Sequence, residues 1–92
     1  MKFIWDERKN QSNIIGHKVS FQEAETVFYD PHAKIIHDPD HSIDEDRFII
    51  LGISKILKLL VVCHCYREEE EIIRIISARK ATKKESKSYG EK

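Results

Sequence analysis

Three apolar runs in the second half of the chain, Arg47–Ile53, Lys58–Glu68 and Ile72–Lys80, constrain its fold more than any other feature. Each is too short for a typical helix and carries adjacent β-branched residues, Ile49-Ile50, Val61-Val62 and Ile75-Ile76. Such runs read as strands. The connectors between them are short, and short connectors join antiparallel neighbours as hairpins. The second run alternates toward its end, and the third leaves the core through Arg79 and Lys80. A meandering antiparallel sheet is therefore expected.

The flanking segments carry helix signals. Phe3-Ile4-Trp5 forms a short opening strand, and Asp6 can cap a polar helix that closes on Ile14-Ile15 and meets Gly16 as its C-terminal glycine. Ser20-x-x-Glu23 has capping-box spacing and opens a second helix with Phe21, Ala24, Val27 and Phe28 on one stripe. Asp30-Pro31 stops it, because the residue before proline avoids the helical region. Lys34–His37 is a short strand within a histidine-rich loop, and Thr82-x-x-Glu85 is another capping box opening a basic helix. The order is β-α-α-β-β-β-β-α, an α+β domain with helices packed on an antiparallel meander. Phe21, Val27, Phe28, Ile50, Val62 and Ile75 are expected in the core. The hairpin tip Ile56-Leu57-Lys58 lacks a glycine for positive φ, so a longer or differently shaped loop is expected there.

Size and charge set limits. A chain of 92 residues is one small domain, expected over 1–92 with a frayed tail after Tyr89. Its 16 basic and 16 acidic side chains balance, so any binding of nucleic acid must rest on local asymmetry. Between Gln22 and Asp46 the only Lys or Arg is Lys34, whereas from Arg74 to Lys92 the only acids are Glu85 and Glu91. No apolar run approaches the roughly 20 residues needed to span a bilayer, and the charged start lacks the form of a secretory leader. The cytoplasm is the expected compartment. Cys63 and Cys65 lie about 6.6 Å apart on one strand face, at the long edge of disulfide geometry, and read as buried free thiols.

Several motifs resemble one family. Phe3-x-Trp5-Asp6-x-x-Lys9-Asn10-x-x-Asn13, His17-x-Val19-Ser20-Phe21-x-x-Ala24, Val27-Phe28-x-Asp30-Pro31, Arg47-Phe48, Gly52 and the segment Glu71–Glu85 resemble, in order, the BrnT toxins of bacterial toxin–antitoxin pairs. The resemblance implies a RelE-like ribonuclease fold, arrest of translation by RNA cleavage, and no cofactor. It also implies a BrnA-like ribbon-helix-helix antitoxin, through which alone the toxin would reach operator DNA as co-repressor. One departure is Gly16-His17-Lys18, where the family usually has Lys-His-Gly.

Metal-free RNA cleavage requires removal of the 2′-hydroxyl proton, supply of another proton, and stabilisation of a phosphorane-like charge. Arginine suits the last task, because its planar fork matches phosphate oxygens. Arg67 and Arg79, near the ends of adjacent strands, are the leading catalytic candidates, although cations at strand ends are often only surface charge. His17 titrates in the range needed for acid or base work, yet a histidine before a helix is often structural. Trp5, Lys9, Lys80 and Tyr89 are candidate RNA contacts, by stacking or by charge, and Trp5 and Tyr89 could equally be packing residues. Glu68 could act as a base, but it belongs to the solvated charge run Glu68–Glu71.

His32, His37 and His41 interleave with Asp30, Asp38 and Asp40, but their spacing lacks the fixed geometry of zinc motifs. Strand alternation places His64 on the opposite face from Cys63 and Cys65. No metal is expected. A non-catalytic module that binds a partner protein through its sheet is the alternative to a ribonuclease. Direct DNA reading finds no recognition helix to support it.

Overall fold

A computed structural model of the chain describes residues 1–38, 40 and 45–89. The elements are β1 (Lys2–Ile4), α1 (Glu7–His17), α2 (Phe21–Thr26) running into a 3₁₀ turn (Val27–Tyr29), β2 (Lys34–Asp38), β3 (Arg47–Ile53), β4 (Leu59–Arg67), β5 (Ile72–Lys80) and α3 (Lys83–Ser88). The expected order holds. The frayed tail concerns residues 90–92, which lie outside the described residues.

The sheet has order β1-β5-β4-β3-β2. Strands β2 to β5 form the expected antiparallel meander, but β1 runs parallel to β5, with Lys2 opposite Ile72 and Ile4 opposite Arg74. The sheet is therefore mixed rather than purely antiparallel. A parallel pair needs a long crossover, and every element between β1 and β5 serves as that connection.

Both longer helices pack on one face. Val19, Phe21, Ala24, Val27, Ile50, Leu60, Val62, Ile75 and Ala78 form the core. Five of the six expected core residues are buried, and Phe28 is not fully so. The helix tightens to three residues per turn at Val27, so Val27 points inward and Phe28 swings to the margin. There its ring meets Phe3 at 5.2 Å and His64 at 4.8 Å. Gly52 lets this turn lie against β3, since a Cβ there would stand 2.8 Å from Val27 Cγ1 and 2.9 Å from Ala33 Cβ.

The polar stripe of α1 does structural work that periodicity did not reveal. Asn13 Nδ2 donates to Ala78 O at 2.7 Å and to Val19 O at 2.8 Å, and Ala78 N–H donates to Asn13 Oδ1 at 3.1 Å. β1 covers β5 only as far as Arg74, so the Asn13 amide pairs with β5 beyond it as a strand would. Asn10, also buried, accepts from Phe21 N–H at 2.8 Å and fixes the start of α2.

Three local expectations change. Helix α1 passes through Gly16, and the left-handed cap is Lys18, φ 62°, whose N–H donates to Ile14 O. The β3–β4 hairpin keeps a tight turn rather than a longer loop. Leu57 takes φ 65°, its N–H bonds Ser54 O, and Ser54 N–H bonds Lys58 O. Of the Ser20 capping box only half forms: Ser20 Oγ accepts from Glu23 N–H, while the Glu23 carboxylate accepts from Ser54 Oγ at 2.7 Å.

Candidate nucleic-acid interface

The face opposite the core is built from cross-strand rungs. Asp38, Arg47, Cys65 and Arg74 stand in one row across β2, β3, β4 and β5. The next row is Ile36, Ile49, Cys63 and Ser77, and the third is Lys34, Leu51, Val61 and Arg79. Apolar side chains thus floor the face, with cations in the rows on either side. A groove of about 220 Å³ lies over it, lined by Asp38, Arg47, Cys63, Ile76 and Arg79 among others. Helix α3 covers only one end, where Glu85 and Ser88 border an adjoining groove of about 150 Å³.

The placement of Arg74 and Arg79 on one face depends on a bulge. Cys63 pairs with Ser77 but His64 pairs with Ile75, so Ile76 is one residue too many on β5. In a regular strand Arg74 and Arg79, five apart, would face opposite ways. The extra residue brings both to the open face. Arg74 went unremarked as a site candidate because alternation by two fails at a bulge; Arg47, on the regular strand β3, was legible only as a strand-end cation.

The two leading arginines are not neighbours. Arg79 stands opposite Val61 and Arg67 opposite Ile72, so about 20 Å of strand separates them. Adjacent antiparallel strands end at opposite sides of a sheet, which rules out a shared phosphate clamp. Each is ion-paired. Arg67 donates to Glu45, which raises its pKa and lowers that of Glu45. Arg79 Nη1 and Nη2 meet Glu85 Oε1 and Oε2 at 2.8 and 3.0 Å. That hydrogen-bonded pair raises the Arg79 pKa and holds the Glu85 carboxyl down at about 2. Glu85 also completes the expected capping box, accepting from Thr82 N–H at 2.8 Å while Thr82 Oγ1 accepts from Glu85 N–H at 3.1 Å.

The other candidates are distributed around the fold. His17 is the exposed last residue of α1, one turn beyond Asn13, so it sits at the Ala78 end of β5 on the helix side. Lys80, exposed, belongs to the same corner as Arg79 and His17 but alternates to the other side of β5 from Arg79. Lys9 is exposed on α1. Trp5 is half-buried against Phe21, ring centroids 6.1 Å apart, and its Nε1–H donates to Glu7. Tyr89 donates its hydroxyl to Asp30 Oδ2 at 2.6 Å, which pushes its pKa up to about 12 and ties the end of α3 to the turn before β2.

Asp30 is committed to the fold. Burial acts to raise its pKa, but hydrogen bonds from Ile53 N–H, Tyr89 and His32 N–H outweigh it and lower the value. Among the described residues no three His, Cys, Asp or Glu side chains gather as a metal site, and His41 lies outside them. Cys63 is half-buried, Cys65 is buried, and neither is in a disulfide. His64 faces the core as alternation required, with Nδ1 near Val62 O at 3.1 Å and Nε2 near the Tyr66 hydroxyl at 3.2 Å. Burial lowers its pKa.

Comparison with known proteins gives this architecture its class, that of the toxin components of type II toxin–antitoxin systems. The family described as "Ribonuclease toxin, BrnT, of type II toxin-antitoxin system" matches residues 5–85, and the chain belongs to that BrnT family. The crystal structure of the Brucella abortus ribonuclease toxin BrnT is similar, with a TM-score of 0.68 and 29% identity. The alignment covers 90% of this chain and 99% of that one. No curated protein sequence matches. Family membership implies an antitoxin partner. Among the described residues no helix is long and apolar enough to cross a membrane.

Proposed function

We propose that this chain is an endoribonuclease that cleaves RNA laid across the open sheet face, without a metal, and thereby arrests translation. The observation that carries the reading is the Ile76 bulge, which lines that face with Arg74 and Arg79 above an apolar floor. Guanidinium groups there offset the charge that builds on phosphorus as the 2′-oxygen attacks. Arg79 is the phosphate contact nearest the chemistry, because His17 and Lys80 lie at its corner. His17 moves the proton for RNA that turns over the β5 edge. Arg67, at the far end, and Lys9 with Trp5, beside the first strand, meet more distant parts of the strand. A RelE-like fold is part of the same reading. A BrnA-like ribbon-helix-helix antitoxin silences the toxin by covering the basic end of the face, and the pair represses its own operon.

The test is induction without antitoxin, followed by growth and RNA integrity. We expect arrest with cleaved RNA, activity of the purified protein in the presence of a chelator, and loss of most toxicity in Arg79→Ala and Arg74→Ala with the fold intact. Arg79→Lys rescues poorly, since an ammonium lacks the planar fork. One observation favours a binding module instead: Arg67 and Arg79 are both engaged by carboxylates. If the alanine variants stay fully toxic, or RNA in arrested cells is intact, that reading replaces this one.

A further inference from the structure

We infer that Glu85 is a positioning residue for RNA cleavage: it turns the Arg79 guanidinium so that its one uncommitted edge faces the groove. An arginine has five N–H donors in a fixed planar fork. Three are in use here. Nη1 donates to Glu85 Oε1 at 2.8 Å and to Lys80 O at 3.3 Å, and Nη2 donates to Glu85 Oε2 at 3.0 Å. The two that remain, on Nε and on the outer side of Nη2, share one edge of the guanidinium. They make no hydrogen bond among the described residues, and that edge is the spacing at which a guanidinium takes two phosphate oxygens. The Arg79 side chain is 41% exposed and lines the groove on the open face. An arginine side chain otherwise loses much rotamer freedom on binding, so a fork already oriented spends less of its interaction on ordering.

The carboxylate that orients Arg79 is itself held rigidly. Glu85 Oε1 accepts from the backbone N–H of Thr82, a donor that any non-proline residue at position 82 supplies, whereas the Thr82 hydroxyl accepts from Glu85 N–H and caps α3 without meeting the carboxylate. Glu85 also neutralises much of the arginine's charge, so it cannot act by strengthening general attraction for RNA. Its contribution is to geometry, and geometry appears in turnover rather than in affinity.

This inference rests on the ribonuclease reading, and the experiment separates the two. Single-turnover and steady-state cleavage of a defined RNA are measured for the wild type, Glu85→Gln, Thr82→Ala and Arg79→Ala, each with its thermal midpoint. Glu85→Gln keeps one oxygen for the Thr82 N–H but cannot hold both Nη groups as a charged pair. We expect its kcat to fall on the order of tenfold or more, within the range of a lost transition-state donor, with KM unchanged or lower. Thr82→Ala loosens α3 without touching Arg79 and should leave kcat within about twofold of wild type, since a cap contributes to helix stability alone. The inference is overturned if Glu85→Gln matches or exceeds wild type, or loses activity only through KM. It is equally overturned if Thr82→Ala loses as much kcat as Glu85→Gln. A wild type that cuts no RNA defeats the ribonuclease reading itself.

Discussion

Leu57, Lys18 and His64 hold backbone conformations or protonation states that cost the fold something. Leu57 sits at φ 65° with its side chain in solvent, in a turn whose third loop residue is ordinarily glycine. Leu57→Gly should raise stability by about 1 kcal/mol, the order of a relieved left-handed side chain, as read from the urea midpoint. Lys18 takes the same left-handed conformation at the end of α1, φ 62°. His64 carries a different cost. Its burial lowers its pKa, so in the folded state the ring stays neutral while the unfolded chain takes up the proton first. Its contribution to stability is complete above the unfolded value of about 6.5 and is lost as pH falls below it. Chemical denaturation at successive pH values should show that decline, and the His64 ring resonances should still report neutral imidazole below pH 6.5. A ring that titrates at its ordinary value in the folded protein would contradict this.

At the scale of elements, what the sequence made legible was local. The strands β3, β4 and β5 were read from β-branched runs, and the Thr82 capping box from spacing, because both signals lie within a few residues. Where partners are distant the signal vanished: nothing near Lys2–Ile4 says that these residues lie parallel to Ile72–Arg74. The Ile76 bulge was hidden for the same reason, since it exists only relative to β4. The separation of Arg67 from Arg79 was in principle readable, because antiparallel strands must end at opposite sides. Asn13 was overlooked because a polar residue on a polar helix looks solvated, and only the unpaired edge of β5 gives it a task. Asn13→Ala should destabilise by about 3 kcal/mol, the order of buried backbone groups left without partners. Hydrogen exchange at Ala78 should rise more than exchange at Val62, its partner on the inner strand β4. Uniform acceleration at both would mean global loss rather than an opened edge.

Over the whole molecule, zero net charge conceals a dipole. Glu68–Glu71 stand exposed at the β4–β5 turn, while Lys80, Lys83, Lys84 and Lys87 stand exposed at the other end of β5 and on α3. An antitoxin that covers the basic end should present acid around apolar anchors, since charge governs on-rate more than tightness. Reversal of both Lys83 and Lys84 to Glu should slow association on the order of tenfold at low salt and flatten its salt dependence. Stopped-flow measurement across a salt series tests this, and an on-rate indifferent to reversal and salt would move the antitoxin to another surface.

The parallel seam between β1 and β5 also carries a consequence in time. Lys2 meets Ile72, so the residues synthesised first in this stretch must wait for a partner seventy positions later. Until that partner has been translated, β1 has no place in the sheet, and β5 has neither its bulge nor its arginines against β4. Within this stretch the open face is completed late, when β5 pairs with β4. A nascent chain of this protein therefore cannot assemble the open face until Arg79 has been translated, and whatever that face binds meets only the finished sheet.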